Sequence, residues 1–178
     1  MENKEAKVSL IEPASWMAMP IGLMWAASFL CTMYGTERPL LSMLSTALSL
    51  FSIYILFKQL TNFRRVLPDA GWGMVFRLSL VTCLLAGLLT DAVQYAYFAW
   101  FDNGRMLSLI AESMQSEAYV ETWKRLMPDQ NIAEMQAMVQ SMTVRDIMQM
   151  LILYNILLSV PIALVAALPV RKPRKTEQ

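Results

Sequence analysis

The stretch from Ala14 to Tyr34, ASWMAMPIGLMWAASFLCTMY, decides the fold, because it contains no charged side chain. A bilayer core about 30 Å thick is crossed by about 20 mainly apolar residues in a helix. Pro13 suits the first turn of such a helix, where its missing N–H would have no intrahelical partner. A cleaved signal peptide is the competing interpretation, but the run is too long and lacks a small-x-small cleavage site. The stretch predicts a retained membrane span.

Three further segments meet the same requirement for a span. They cover residues 39–57, 74–101 and 144–168. The turn signal Asp102-Asn103-Gly104 stops the third span. The fourth begins at Thr143, whose hydroxyl can cap a helix that has Asp146 in its first turn. The sequence therefore predicts an all-α polytopic membrane protein, an antiparallel bundle of four transmembrane helices in a single membrane domain.

Composition excludes several classes of function. The chain has 178 residues, of which 56% are hydrophobic and 16% charged, and its fifteen basic residues nearly balance fourteen acidic ones. This balance leaves no basic field to hold a nucleic acid. There is no histidine, and Cys31 and Cys83 lie inside apolar runs, so zinc sites and Ser-His-Asp or Cys-His centres cannot be assembled. We therefore expect no enzyme, no catalytic residue, no cofactor and no metal site.

The distribution of basic residues predicts the orientation. With the N-terminus inside, the inner side holds Lys4, Lys7, Lys58, Arg64, Arg65 and, in the tail 169–178, Arg171, Lys172, Arg174 and Lys175. The outer side then keeps Arg38, Arg105, Lys124, Arg125 and Arg145, set against an excess of acidic residues between Asp102 and Asp146. Both termini are therefore predicted to be cytoplasmic.

Residues 104–142, between the third and fourth spans, are amphipathic rather than apolar throughout. Helical spacing predicts one helix from Arg105 to Met127 and a second from Asn131 onward, which together form an external helical hairpin. The apolar face of the second helix comprises Ile132, Met135, Met138, Val139 and Met142. This predicted docking face must pack on the mouth of the bundle, on lipid or on another protein. Thioether groups also bind Cu(I), but no histidine or external cysteine supports a copper site.

Each span carries a stripe of small or polar residues on one face, as expected where membrane helices approach closely. The stripes are Ala14, Ala18, Gly22 and Ala26; Ser42, Ser45, Ser49 and Ser52; Ser79, Cys83, Gly87 and Asp91; and Asn155, Ser159, Ala163 and Ala167. We favour tight helix packing for the serine row over a ligand channel, since serines can also bond back to their own helix.

Asp91 is the single acidic residue deep in a span, where a carboxylate costs roughly 2.5–3.5 kcal/mol on insertion scales and faces a partner. Asn155 and Tyr154 lie at comparable depth in the antiparallel fourth span. We predict an intramembrane polar cluster of Asp91, Gln94, Tyr95, Tyr154 and Asn155. The cluster either holds two helices together by an interhelical hydrogen bond or serves as a coupling site for a proton or cation. We favour the interhelical hydrogen bond.

Three local patterns resemble one protein family. They are Tyr95-Ala96-Tyr97-Phe98 at the end of the third span, Met142-Thr143 at the entry to the fourth, and Asn155 with the run from Ser159 to Leu164. With the four spans and the basic tail, the chain resembles the domain-of-unknown-function 4199 family of small bacterial membrane proteins. The resemblance implies a bacterial inner-membrane location and no activity, and Thr143-Val144 replaces the Thr-Pro entry of the family.

Two functional hypotheses follow. The first is a non-enzymatic membrane protein that binds a protein partner, or a second copy of itself, through the hairpin. The second is a small transporter in which Asp91 is the coupling site. An intramembrane aspartate protease is disfavoured, because that chemistry needs two deep aspartates.

Overall fold

The computed structural model describes residues 10–35, 38–68, 70–126 and 131–170, and these residues form helices and no strand. The seven α-helices found there are α1 (Ile11–Gly35), α2 (Pro39–Val66), α3 (Trp72–Trp100), α4 (Arg105–Ser113), α5 (Glu117–Leu126), α6 (Ile132–Ser141) and α7 (Val144–Ala167). A short 3-10 turn, Leu168–Val170, follows α7. By length and composition, α1, α2, α3 and α7 can each cross a membrane. The prediction of an all-α protein with four spans is confirmed.

The observed helices extend beyond some of the predicted spans. The largest difference is in α2, which continues from the predicted limit at Phe57 to Val66. Apolarity sets the limit of a span, whereas helix geometry continues until a residue interrupts it. Residues 58–66 contain no glycine or proline, and Arg64 and Arg65 in the last turn are favourable at the negative end of the helix dipole.

The first of two compact units comprises the chain up to Val93 and from Ile152 onward, and in it α1, α2, most of α3 and most of α7 pack as a bundle. Its core contains fully buried side chains from every long helix, among them Ile21, Leu56, Leu78 and Ala163. The small-residue stripes of α1 and α3 are buried throughout. On the outside, large apolar side chains of α2 and α7 are exposed, as lipid-facing surfaces require.

Gly22 lies at a close contact between α1 and α3. A Cβ atom added there would lie 2.9 Å from Leu89 Cδ2 and 3.0 Å from the Ala86 carbonyl oxygen. Neither a side chain nor the facing backbone leaves room for a methyl group. The small residue predicted from the stripe is therefore a steric requirement of this contact.

The second unit comprises residues 94–151 and contains α4, α5 and α6. The first predicted arm of the hairpin is two helices rather than one, because the chain tightens into 3-10 turns after Ser113. There the amide of Gln115 bonds to Glu112 O and that of Ser116 to Ser113 O. The Ser113 and Ser116 hydroxyls each donate to a carbonyl three residues earlier, which competes with a continuing helix.

The ends of the helices in this unit carry the predicted signals. Asn103 and Gly104 have positive φ values of 48° and 78°, which turn the chain after α3. The Thr143 hydroxyl donates a hydrogen bond to Asp146 Oδ2 at 2.6 Å, and the backbone N–H of Asp146 donates one to Thr143 Oγ1 at 3.4 Å. This reciprocal cap begins α7. Met127, the predicted last residue of the first hairpin helix, lies outside the described residues, as do Lys4, Lys7 and the basic tail from Arg171.

Candidate functional site

The contact between α3 and α7 contains a buried carboxylate. Asp91, on α3, is only 7% exposed, and the Asn155 side-chain amide of α7 donates a hydrogen bond from Nδ2 to its Oδ1. One turn earlier, a Cβ atom added at Gly87 would lie 3.6 Å from Asn155 Cβ. That distance is an ordinary van der Waals contact, so α3 and α7 pack side by side next to the Asp91–Asn155 hydrogen bond.

Neighbouring hydroxyl groups tie the same region to adjacent backbone. The Ser159 hydroxyl donates to Asn155 O at 2.8 Å within α7. On α3, the Thr90 hydroxyl is placed to donate to Ala86 O at 2.9 Å and to Gly22 O of α1 at 3.3 Å. A further contact joins the Ser79 hydroxyl to Ala163 O of α7 at 3.3 Å. α3 therefore makes polar contacts with both α1 and α7.

The other predicted members of the polar cluster lie in different surroundings. Tyr95 and Tyr154 are exposed, at 54% and 57% of their surfaces. Gln94 is buried, and its Oε1 atom has no hydrogen-bond partner among the residues that the structure describes. The structure thus brings together Asp91 and Asn155, and it leaves both tyrosine rings at the surface.

The carboxylate and its amide allow two kinds of chemistry. An amide N–H stabilises an ionised carboxylate, and a satisfied pair of this kind holds two membrane helices in register. A carboxylate enclosed in a bundle is also the usual group for taking up a proton or a cation in a membrane pathway. Both roles use Asp91 as the central group and Asn155 as the residue that orients it.

A second polar seam joins α1 to α2, and its α2 side is the predicted serine row. Trp25 Nε1 donates to Ser52 Oγ at 2.8 Å. The buried Ser28 hydroxyl lies 2.9 Å from the hydroxyl oxygens of both Ser45 and Ser49. Thr32 Oγ1 lies 2.7 Å from Ser45 Oγ. Three of the four serines of the row, Ser45, Ser49 and Ser52, therefore bond to the neighbouring helix, in agreement with the packing interpretation.

The sequence interpretation missed the α1 side of this seam. Trp25, Ser28 and Thr32 follow one another at spacings of three and four residues, which places them on one helix face. That pattern was available in the sequence. It was obscured because these residues differ in size and chemistry, whereas the alanine and glycine stripe beside them is uniform.

The predicted docking face lies on α6. Ile132, Met135, Val139 and Met142 are half-buried, whereas Met138 is 56% exposed, and none of the side chains of α6 is fully buried. α6 packs against α4, and the Gln136 side-chain amide lies 3.5 Å from Met114 O. The face is therefore partly covered, and the large apolar side chain of Met138 stays exposed.

Comparison of the chain with known proteins identifies its family. No curated protein matches the chain, and no solved structure matches it either. The family model described as "Protein of unknown function (DUF4199)" matches residues 17–172, a range that runs from α1 to just beyond α7 and includes Asp91, Asn155 and the segment that contains α4, α5 and α6. A match over this range shows the family. The four-helix membrane protein described above therefore belongs to the DUF4199 family.

Proposed function

We propose that this multi-pass membrane protein is a non-enzymatic partner-binding or structural protein of the bacterial inner membrane. It acts through the connecting segment, residues 104–142, by binding another protein or a second copy of itself. Its N- and C-termini are cytoplasmic in this proposal, so the connecting segment lies outside the cytoplasm.

The exposed Met138 side chain carries the proposal. A methionine that is 56% exposed on an otherwise half-buried apolar face leaves flexible, polarisable surface available to a partner. Large apolar side chains are also exposed on the two preceding helices, at Leu109 (40%) and Leu126 (71%). Such side chains favour contact with another apolar surface over water.

A charge placed on this face tests the proposal. We expect the wild-type chain, purified from native membranes in a mild detergent, to have the mass of a complex with a partner or with itself. Met138→Glu should reduce that mass to the monomer, because a buried carboxylate without a partner is costly in an interface. Gln140→Glu is the matched control, since Gln140 is an exposed polar residue of the same helix.

Two results would count against partner binding through α6. One is a monomeric wild-type protein with nothing bound. The other is a Met138→Glu complex as intact as the wild type. Circular dichroism of each variant separates a lost contact from a lost fold.

The orientation has its own test. The basic residues Lys58, Arg64 and Arg65 at the end of α2, together with the basic tail, support a cytoplasmic inner side under the positive-inside rule. A fluorescent protein fused after Gln178 should mature and fluoresce, whereas alkaline phosphatase fused there should stay inactive. An active phosphatase fusion would show that the C-terminus lies outside the cytoplasm and that the proposed orientation is wrong.

A second candidate function rests on the buried Asp91–Asn155 pair. In this alternative the protein is a small transporter, and Asp91 is the site at which a proton couples to transport. Reconstituted vesicles carrying a pH-sensitive dye should then show proton flux that is abolished by Asp91→Asn in a folded protein. Glu112→Gln is the control, because Glu112 is an exposed carboxylate of α4. Equal flux in the wild type and Asp91→Asn would exclude coupling through this residue.

A further inference from the structure

Helix α5 (Glu117–Leu126) is strongly amphipathic. Tyr119, Trp123 and Leu126 follow one another at spacings of four and three residues, which places them on one face of the helix. Glu121 and Arg125 lie on the other side, and both are exposed. The proposed partner contact is on α6, which leaves the apolar face of α5 without a role.

This apolar face is only partly covered by the rest of the chain. The rings of Tyr119 and Trp123 stack with their centroids 6.0 Å apart, and both residues are half-buried. Leu126, in the next turn, is 71% exposed. Covering these side chains with an apolar surface is therefore favourable.

The membrane surface lies within reach of α5. This helix belongs to the compact unit of residues 94–151, which also contains the last turns of α3 and the first turns of α7, two helices that can cross a membrane. Trp100 and Phe101, at the end of α3, are 70% and 68% exposed, as is typical of aromatic residues at the lipid–water interface. A compact unit of this size has a radius of gyration of about 10 Å, so α5 lies near the level that these two residues mark.

The size of the face favours lipid over a protein as its partner. A stable, specific protein interface buries about 800 Å² on each side. Tyr and Trp side chains bury about 150–250 Å² each, and here both are already partly covered, so the face of α5 alone falls short of that area. A helix that lies in the lipid interface has no such minimum, because its binding grows with the apolar area that enters the bilayer.

We infer that α5 lies in the lipid–water interface of the bilayer. Tyr119, Trp123 and Leu126 face the acyl chains in this arrangement, and Glu121 and Arg125 face water. An apolar face with Trp beside a charged polar face is typical of helices that lie in the membrane plane. The partner is the lipid surface itself, so the inference holds for either orientation of the chain. It assigns Leu126 to lipid and leaves Met138 of α6 for the proposed partner contact.

Spin labels on the two sides of α5 test the inference in the full-length chain. Leu126→Cys carries the label on the apolar face, and Glu121→Cys is the matched control on the polar side, since both positions are exposed. Both variants also carry Cys31→Ser, because Cys31 is half-buried, whereas Cys83 is buried and shielded from the labelling reagent. The labelled protein is reconstituted in vesicles of phosphatidylethanolamine and phosphatidylglycerol. Electron paramagnetic resonance then measures how often each label collides with oxygen, which concentrates in lipid, and with a water-soluble nickel chelate.

We expect the ratio of oxygen to nickel collisions to be several times higher at position 126 than at position 121, because the label at 126 lies among acyl chains. Equal ratios at the two positions would place the apolar face in water and overturn the inference. Infrequent collisions of the label at 126 with both reagents would also overturn it, since protein then covers the face. No other protein is present in these vesicles, so the result does not depend on partner binding through α6.

Fluorescence quenching of Trp123 gives a second test that needs no cysteine variant. The chain has five tryptophans, so the contribution of Trp123 is the difference between the wild type and Trp123→Phe. We expect lipids brominated in the upper part of the acyl chain to quench this difference more strongly than acrylamide in the water does. Quenching by acrylamide alone, or by neither reagent, would show that Trp123 does not face lipid and that the inference is wrong.

Discussion

The α1–α2 and α3–α7 interfaces use polar groups in opposite ways. Between α1 and α2, several neutral side chains share their hydrogen bonds, and Ser28 alone contacts both Ser45 and Ser49. Between α3 and α7, one carboxylate, Asp91, depends on one side-chain amide, that of Asn155. A shared network tolerates the loss of a member, whereas a charge with a single described side-chain partner does not. The two interfaces therefore predict very different costs for similar deletions.

The largest effect is expected at Asn155. Asn155→Leu removes the amide and leaves Asp91 enclosed without it, which should lower the free energy of unfolding by about 2–3 kcal/mol. Unfolding in mixed micelles by increasing amounts of a denaturing detergent measures this change. The double variant Asp91→Leu/Asn155→Leu should recover most of the loss, because replacing both partners by apolar groups leaves no unpaired charge. A double variant as unstable as Asn155→Leu would contradict the assigned pairing.

An intermediate effect is expected where α1 meets α3 through close packing. Gly22→Ala should destabilise the protein by about 1–2 kcal/mol in the same assay, because the added methyl group meets the Ala86 backbone and the Leu89 side chain.

Gly73→Ala is the matched control for this substitution. A Cβ atom at Gly73 meets nothing within 4 Å, and α3 gains a better helix former. Equal stabilities for the two alanine variants would show that α1 and α3 do not approach as closely as described.

A smaller effect is expected in the polar seam between α1 and α2. Ser28→Ala should cost about 0.6 kcal/mol, the average for an interhelical hydrogen bond in a membrane protein, because Ser45 retains Thr32 as a partner. Thr46→Ala is the control and should change stability still less, since the Thr46 hydroxyl is exposed and bonds back to Ser42 O of its own helix. If Ser28→Ala lowers the free energy of unfolding by more than Asn155→Leu does, the α1–α2 network does not tolerate the loss of a member, and the proposed difference between the two interfaces is wrong.

Much of this architecture was predictable from local sequence. Long, mainly apolar runs located all four long helices, and the Asp102-Asn103-Gly104 turn and the Thr143 cap marked two of their ends. The break after Ser113 was not predicted. Helical periodicity continues across residues 114–116, and the serine hydroxyls that interrupt the helix there act only at short range on the backbone.

The candidate site was predictable to a lesser extent. Depth along two antiparallel spans placed Asp91 near both Asn155 and Tyr154, but depth alone could not choose between them. Rotation of α7 about its own axis makes that choice, and it directs Asn155 toward α3 while Tyr154 is exposed.

The sequence by itself determined that this chain is a four-span helical membrane protein, because the length of a mainly apolar run and its low content of charge are local properties that the bilayer selects. It also determined which faces of the spans are small or polar. Only the tertiary structure decided which faces meet: the serine row with Trp25, Ser28 and Thr32, and Asp91 with Asn155. Those pairings depend on the rotation and register of packed helices, which arise from contacts between residues distant in the chain.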